Sequence, residues 1–164
     1  MTSLYSIFWL ILAVVLQTLL FNHLQLLGGV IMVYMIALIK LPVDMNRNLQ
    51  ILAGFLCGLI IDIFSNTLGM HTLTAVTIMW LRMPILHLYI NSEDIKSGIP
   101  GNTLMGMQSY IRYSLTVLAI HCVLLYFIES FTLFHILTTI FKAFLSMLLT
   151  FIAAISLELA TLKK

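Results

Sequence analysis

The chain has 164 residues, of which 62% are hydrophobic and 9% charged; eight basic and six acidic residues leave a net charge of +2, and the mean hydropathy is +1.11. Soluble domains average roughly 45–50% apolar and about 25% charged residues, so a soluble domain is excluded and lipid is the expected solvent for most of the surface. The small positive charge gives no reason to expect a nucleic-acid partner. Cys57 and Cys122 both lie in apolar runs, without metal-ligand spacing or a disulfide framework, and read as packing residues.

In chain order, an apolar run of about 20 residues is enough to cross a ~30 Å hydrocarbon core as a helix. The first run predicts a helix near 3–22, with Tyr5 and Trp9 close to an interface. No basic residue precedes it and no small-x-small site follows, so it is expected to be retained rather than cleaved. After Asn22-His23-Leu24-Gln25 a second helix is predicted near 25–41. Lys40-Leu-Pro42-Val-Asp44-Met-Asn-Arg47-Asn is a charged linker with turn-forming residues. A third helix over 49–64 and a fourth over 68–88 flank the polar turn Ser65-Asn66-Thr67, and Pro84 is expected to kink the fourth or end it early. The polar loop 91–107 reads as a solvated connector in preference to the alternative, a docking site for cytoplasmic proteins. Helices five and six follow over 108–128 and 132–160, completing an all-α, six-span, single-domain membrane protein.

Lys40, Arg47, Lys96, Arg112 and Lys163-Lys164 all belong to the linkers after helices two and four, the start of helix five or the C-terminus. The turns 22–25, 65–67 and 129–131 contain no Lys or Arg. Cytoplasmic loops concentrate Lys and Arg, which predicts that both termini face the cytoplasm. Asp62 then lies ~5 Å below the outer surface and Lys142 ~14 Å deep, within reach of each other as an intramembrane ion pair. Arg82, in the inner half of helix four, is expected to snorkel or to pair with Glu158. A charge left unpaired at the bilayer centre costs on the order of 2.5–3.5 kcal/mol or more.

Gln50, Gly54, Gly58 and Asp62 recur every four residues and form one stripe on helix three. Gly54-x-x-x-Gly58 is a small-residue pattern that lets two membrane helices approach closely, and the expectation is that it packs against helix six or a partner helix. For Asp62 three roles stay open: a tie at the helix end, a partner contact, or proton or substrate transport. His71, His87, His121 and His135 show no metal-ligand pattern and read as packing or interfacial residues. No nucleophile–base pair, metal set or nucleotide loop can be assembled, so neither an enzyme nor a cofactor is expected.

The stretch Gly54-Phe-Leu-Cys-Gly58-Leu-Ile-Ile-Asp62-Ile-Phe-Ser65-Asn-Thr-Leu68-Gly69 resembles the signature of the MreD family, rod shape-determining membrane proteins of bacteria. That family has Gly-Leu-x-x-Asp followed shortly by Leu-Gly at the junction of the third and fourth helices. Here Thr67 stands where many members have Pro. The resemblance implies a fold similar to the six-helix substrate-binding subunits of energy-coupling-factor transporters, in the bacterial cytoplasmic membrane. It implies a non-enzymatic role in the cell-wall elongation complex, with MreC as direct partner and MreB, RodA and a penicillin-binding transpeptidase as further members. Gly58, Asp62, Leu68 and Gly69 would be the family-defining residues, shaping the outer end of helices three and four. The alternative is a vitamin-uptake subunit of the same fold. Against that alternative, helix one carries Ala13-x-x-x-Gln17 instead of the paired alanines usual for contact with the energising partner.

Overall fold

The structure, a computed structural model, describes residues 2–22, 24–90, 97–130 and 136–162. The expectations placed on Lys96, His135 and Lys163-Lys164 fall outside those residues, as do residue 131 of the 129–131 turn and residues 91–96 of the 91–107 connection. Among the described residues there are six α-helices: α1 (Thr2–Leu16), α2 (Val33–Ile39), α3 (Arg47–Ser65), α4 (Met70–His87), α5 (Asn102–Ser130) and α6 (Ile136–Leu162). Of these, α3, α5 and α6 are long and apolar enough to cross a membrane, and Tyr5–Phe21 is a shorter apolar helix. α3 packs against α4, α4 against α5, α5 against α6, and α1 against α2.

The expected second helix over 25–41 is corrected. Its first half is a two-residue-per-strand hairpin, β1 (Gln25–Leu26) paired antiparallel with β2 (Gly29–Val30), and only Val33–Ile39 is helical. The turn is Leu27-Gly28, both at positive φ (52° and 86°), a backbone state that glycine adopts freely and leucine does not. Two consecutive glycines also weaken any helix through this point. There is a geometric reason as well. Gly28 lies against the Lys142 stem and Lys40 reaches Glu158, so the thirteen residues from 28 to 40 must keep pace with ~24 Å of α6. Wound entirely as a helix they would rise only ~18 Å; an extended start makes up the difference.

Extended backbone inside an apolar bundle must find partners for its N–H groups. Val30 N–H donates to Ser146 Oγ (2.9 Å), Met32 N–H to Thr150 Oγ1 (3.0 Å) and Val33 N–H to Gln17 Oε1 (2.7 Å). The short helix that follows is the centre of the molecule: Tyr34, Met35 and Leu38 are fully buried, among Ile61, Ile78, Met79, Val117 and Leu118 of the surrounding helices. Gln17 begins a π-helical turn (Gln17–Phe21) that closes α1. Its amide also donates to Asn22 Oδ1 (3.0 Å), and Asn22 donates to Ser65 Oγ (2.5 Å). The turns at 22 and 65 therefore meet at one end of the bundle.

Pro84 does not end α4 at once; the helix continues to His87. A proline lacks the N–H that would bond the carbonyl four residues back. That carbonyl, Trp80 O, accepts instead from Arg47 Nη2 (3.2 Å), whose guanidinium lies 5.7 Å from the Trp80 ring centroid. In α5 a break falls at Gly106 (φ 73°, ψ 154°), so the continuous helix begins close to the predicted residue 108.

Candidate functional site

The Gly54, Gly58, Asp62 stripe faces α4, not α6 and not an open surface. A Cβ on Gly58 would come within 2.4 Å of Thr72 Cα and 2.7 Å of His71 O; one on Gly54 would meet the Met79 side chain at 2.7 Å and Ala75 O at 3.1 Å. The glycines thus let the α3 backbone rest on the backbone of α4. That closeness delivers Asp62 to the start of α4, where the first N–H groups of any helix lack partners. Asp62 Oδ1 accepts from Thr67 Oγ1 (2.5 Å) and His71 N–H (3.0 Å); Oδ2 accepts from Thr72 N–H (2.8 Å) and Thr72 Oγ1 (2.6 Å).

The residue at the N-cap position of α4 is Gly69, which has φ 80° and no side chain with which to cap. Asp62 supplies from α3 the carboxylate that an N-cap Asp would supply locally, and it also sits at the positive end of the α4 dipole. The carbonyl of Asp62 is used too: the chain turns back at Asn66 (φ 53°, ψ 43°), with Asn66 N–H and Thr67 N–H donating to Asp62 O. Thr67 contributes a hydroxyl to the same carboxylate. Asp62 is 4% exposed, whereas Leu68, at the tip of the turn, is fully exposed. Of Gly58, Asp62, Leu68 and Gly69, Leu68 presents the exposed side chain, next to the exposed Ile63 and Phe64 at the end of α3.

The structure corrects two expected charge pairs. Asp62 is not paired with Lys142; Lys142 lies exposed on α6 beside Gly28. Arg82 is not paired with Glu158. Its guanidinium is fully buried and donates from Nη1 to Gln50 Oε1 (2.6 Å) and from Nη2 to Ile39 O (3.3 Å) and Leu41 O. Those carbonyls are orphaned where α2 ends, so Arg82 caps a C-terminus as cations do. Glu158 instead bonds Lys40 Nζ at 2.5 Å and the Asn102 N–H at 2.6 Å, tying the ends of α2, α5 and α6 together.

A polar contact at the centre was not anticipated. The Tyr34 hydroxyl lies 3.2 Å from His71 Nδ1 and 2.9 Å from His121 Nε2, while His121 Nδ1 is buried without a partner. A bare lone pair there costs less than a stranded N–H. This favours a tautomer in which His121 Nε2–H donates to Tyr34 and Tyr34 O–H donates to His71 Nδ1. Helical periodicity places His71 and His121 inward, but the tyrosine that joins them comes from the broken crossing. Cys57 and Cys122 are free and buried, as expected of packing residues.

No protein-family model matches the chain, and no curated protein or solved structure is significantly similar to it. The class defined by the fold is a helical protein with, among the described residues, three helices long and apolar enough to cross a membrane.

Proposed function

We propose that this chain is a multi-pass membrane scaffold of the MreD kind, serving the bacterial cell-wall elongation complex through direct binding of MreC. On this reading both termini lie in the cytoplasm, the Asp62 end faces outward, and MreB, RodA and a penicillin-binding transpeptidase are reached through MreC. The observation that carries the reading is that the stretch bearing the resemblance is an architectural device. Gly58 and Asp62 lock α3 to α4, and the motif is left presenting Leu68 at an exposed tip. A scaffold needs a rigid platform with an exposed contact, and neither requirement involves turnover. The vitamin-uptake alternative calls for a polar and aromatic pocket at the Asp62 end. Two grooves of several hundred Å³, one between α1 and α6 (Tyr5, Trp9, Ala13, Ala153, Leu157) and one between α5 and α6 (Val123, Phe127, Ile140, Phe144), are lined mainly by apolar side chains, so neither lends that alternative weight.

Co-purification from native membranes tests the proposal. Tagged chain should retain MreC. Leu68→Ser should reduce MreC recovery several-fold while the protein remains inserted and its unfolding midpoint is unchanged. Full MreC recovery with Leu68→Ser removes the contact assigned to the motif, and absence of MreC with the unaltered chain overturns the scaffold reading itself.

A further inference from the structure

Among the described residues, four buried side-chain atoms have no hydrogen-bond partner: His121 Nδ1, Arg82 Nε, Tyr110 Oη and Tyr113 Oη. They are not equivalent. His121 Nδ1 can remain a bare lone pair at small cost, as in the tautomer described above. Arg82 Nε always carries its hydrogen and can only donate, and each tyrosine hydroxyl carries a hydrogen as well. Stranding such a donor costs the desolvation of the whole group, most of all on a charged side chain. These three atoms need a partner that the helices do not supply.

The three belong together. Tyr110 and Tyr113 are three residues apart on α5 and share one face of it. Both are fully buried, as is Arg82. The Tyr113 hydroxyl is close to the Arg82 guanidinium yet makes no hydrogen bond of normal geometry with it. Tyr110 neighbours both Tyr113 and Glu158, and Lys40 Nζ stands 5.7 Å from its ring centroid. Between Arg82 and Glu158, which do not meet, lie two hydroxyls without partners.

A ligand that fits must be small, must accept from Nε–H and must exchange hydrogen bonds with hydroxyls. Water does all three, and a buried water makes about three hydrogen bonds to groups that are otherwise unsatisfied. An anion fits less well. The Arg82 charge already faces the carbonyls at the end of α2, and the Glu158 carboxylate on the Tyr110 side would repel a second negative charge.

We infer that Arg82 Nε, Tyr113 Oη and Tyr110 Oη form a binding site for buried water at the Glu158 end of the bundle. Nε–H donates to the water, and the two hydroxyls complete its shell. The site joins the Arg82 cap of α2 to the Lys40–Glu158 tie, so that α2, α4, α5 and α6 share one polar network there. It is separate from the Asp62 motif and does not depend on the family reading.

X-ray hydroxyl-radical footprinting of the full chain in lipid nanodiscs tests this, because radicals generated from a bound water modify side chains that bulk solvent does not reach. Tyr34 is the internal control: it is equally buried, but its hydroxyl is held between His71 and His121. Tyr110 and Tyr113 should be modified at least fivefold faster than Tyr34. Tyr113→Phe removes one partner of the water with little change of shape, and should lower modification of Tyr110 at least threefold. Tyr110→Phe, read at Tyr113, is the reciprocal test should the first variant fail to fold. Modification of Tyr110 and Tyr113 no faster than that of Tyr34 would overturn the site. So would a rate at Tyr110 that holds or rises in Tyr113→Phe, which would mean bulk solvent entering a loosened bundle. An experimental density map with Arg82 Nε bonded directly to Tyr113, or bromide anomalous scattering that places a halide there, would overturn it as well.

Discussion

Asp62 gains its meaning from four donors, two of them backbone N–H groups at the start of a helix that has no cap of its own. Hydrogen bonds to a charged group contribute about 1.5–3 kcal/mol each, and they do not add fully. Asp62→Ala should therefore destabilise the protein by about 2–4 kcal/mol, measured by reversible denaturant unfolding in micelles. Asp62→Asn keeps one carbonyl oxygen but turns an N–H₂ toward donors, and should fall between the two. A stability loss under 0.5 kcal/mol for Asp62→Ala would remove the capping role. Gly58 is limited by shape rather than charge. Its missing Cβ is where the Thr72 backbone lies, and backbone cannot swing aside as a side chain can. Gly58→Ala should cost at least 1–3 kcal/mol by overpacking, in the absence of any partner protein; unchanged stability would show that the α3–α4 contact is looser than described.

At the scale of elements, α2 is seven residues long, too short to be stable by itself, and it persists because every loose end is tied. Gln17, Ser146 and Thr150 serve its entry, and Arg82 its exit. Arg82→Met keeps much of the volume but strands Gln50 Oε1 and two backbone carbonyls at roughly 1–3 kcal/mol each. Its unfolding free energy should fall by about 3–5 kcal/mol. Arg82→Lys should rescue only part of this, because an ammonium cannot span three acceptors as the planar guanidinium does. Full rescue by lysine would mean that charge alone, not the fork geometry, matters there.

Across the whole molecule, one carboxylate closes each end. Asp62 and Glu158 are each 4% exposed, the first holding the α3–α4 turn and the second gathering Lys40 and Asn102 from α2 and α5. The Asn22–Ser65 bond belongs to the Asp62 end. If the basic linkers face the cytoplasm, Leu68→Cys should react with an impermeant maleimide added to intact cells, and Asp44→Cys only after permeabilisation. Cys57 and Cys122 are buried and should not contribute. The reverse labelling pattern would invert the orientation, and labelling of both positions from outside would break the proposed topology.

The residues by themselves determined that this is an apolar helical chain, where α3, α5 and α6 run, and that Gly54, Gly58 and Asp62 share a packing face. Each of these follows from side-chain character and helical period, which the order of residues displays directly. Which partners the buried charges take was decided only by the tertiary structure. Pairing Asp62 with Lys142 and Arg82 with Glu158 looked for opposite side-chain charges in a sequence that has few. The actual partners of Asp62 and Arg82 are largely backbone N–H and C=O groups freed at the ends of α4 and α2. Every residue carries those groups, so no residue type signals them, and they come free only where a helix starts, stops or breaks. The break in the second crossing had a visible signal in Gly28-Gly29, but its cause is a length match to α6 that exists only once the two segments lie side by side.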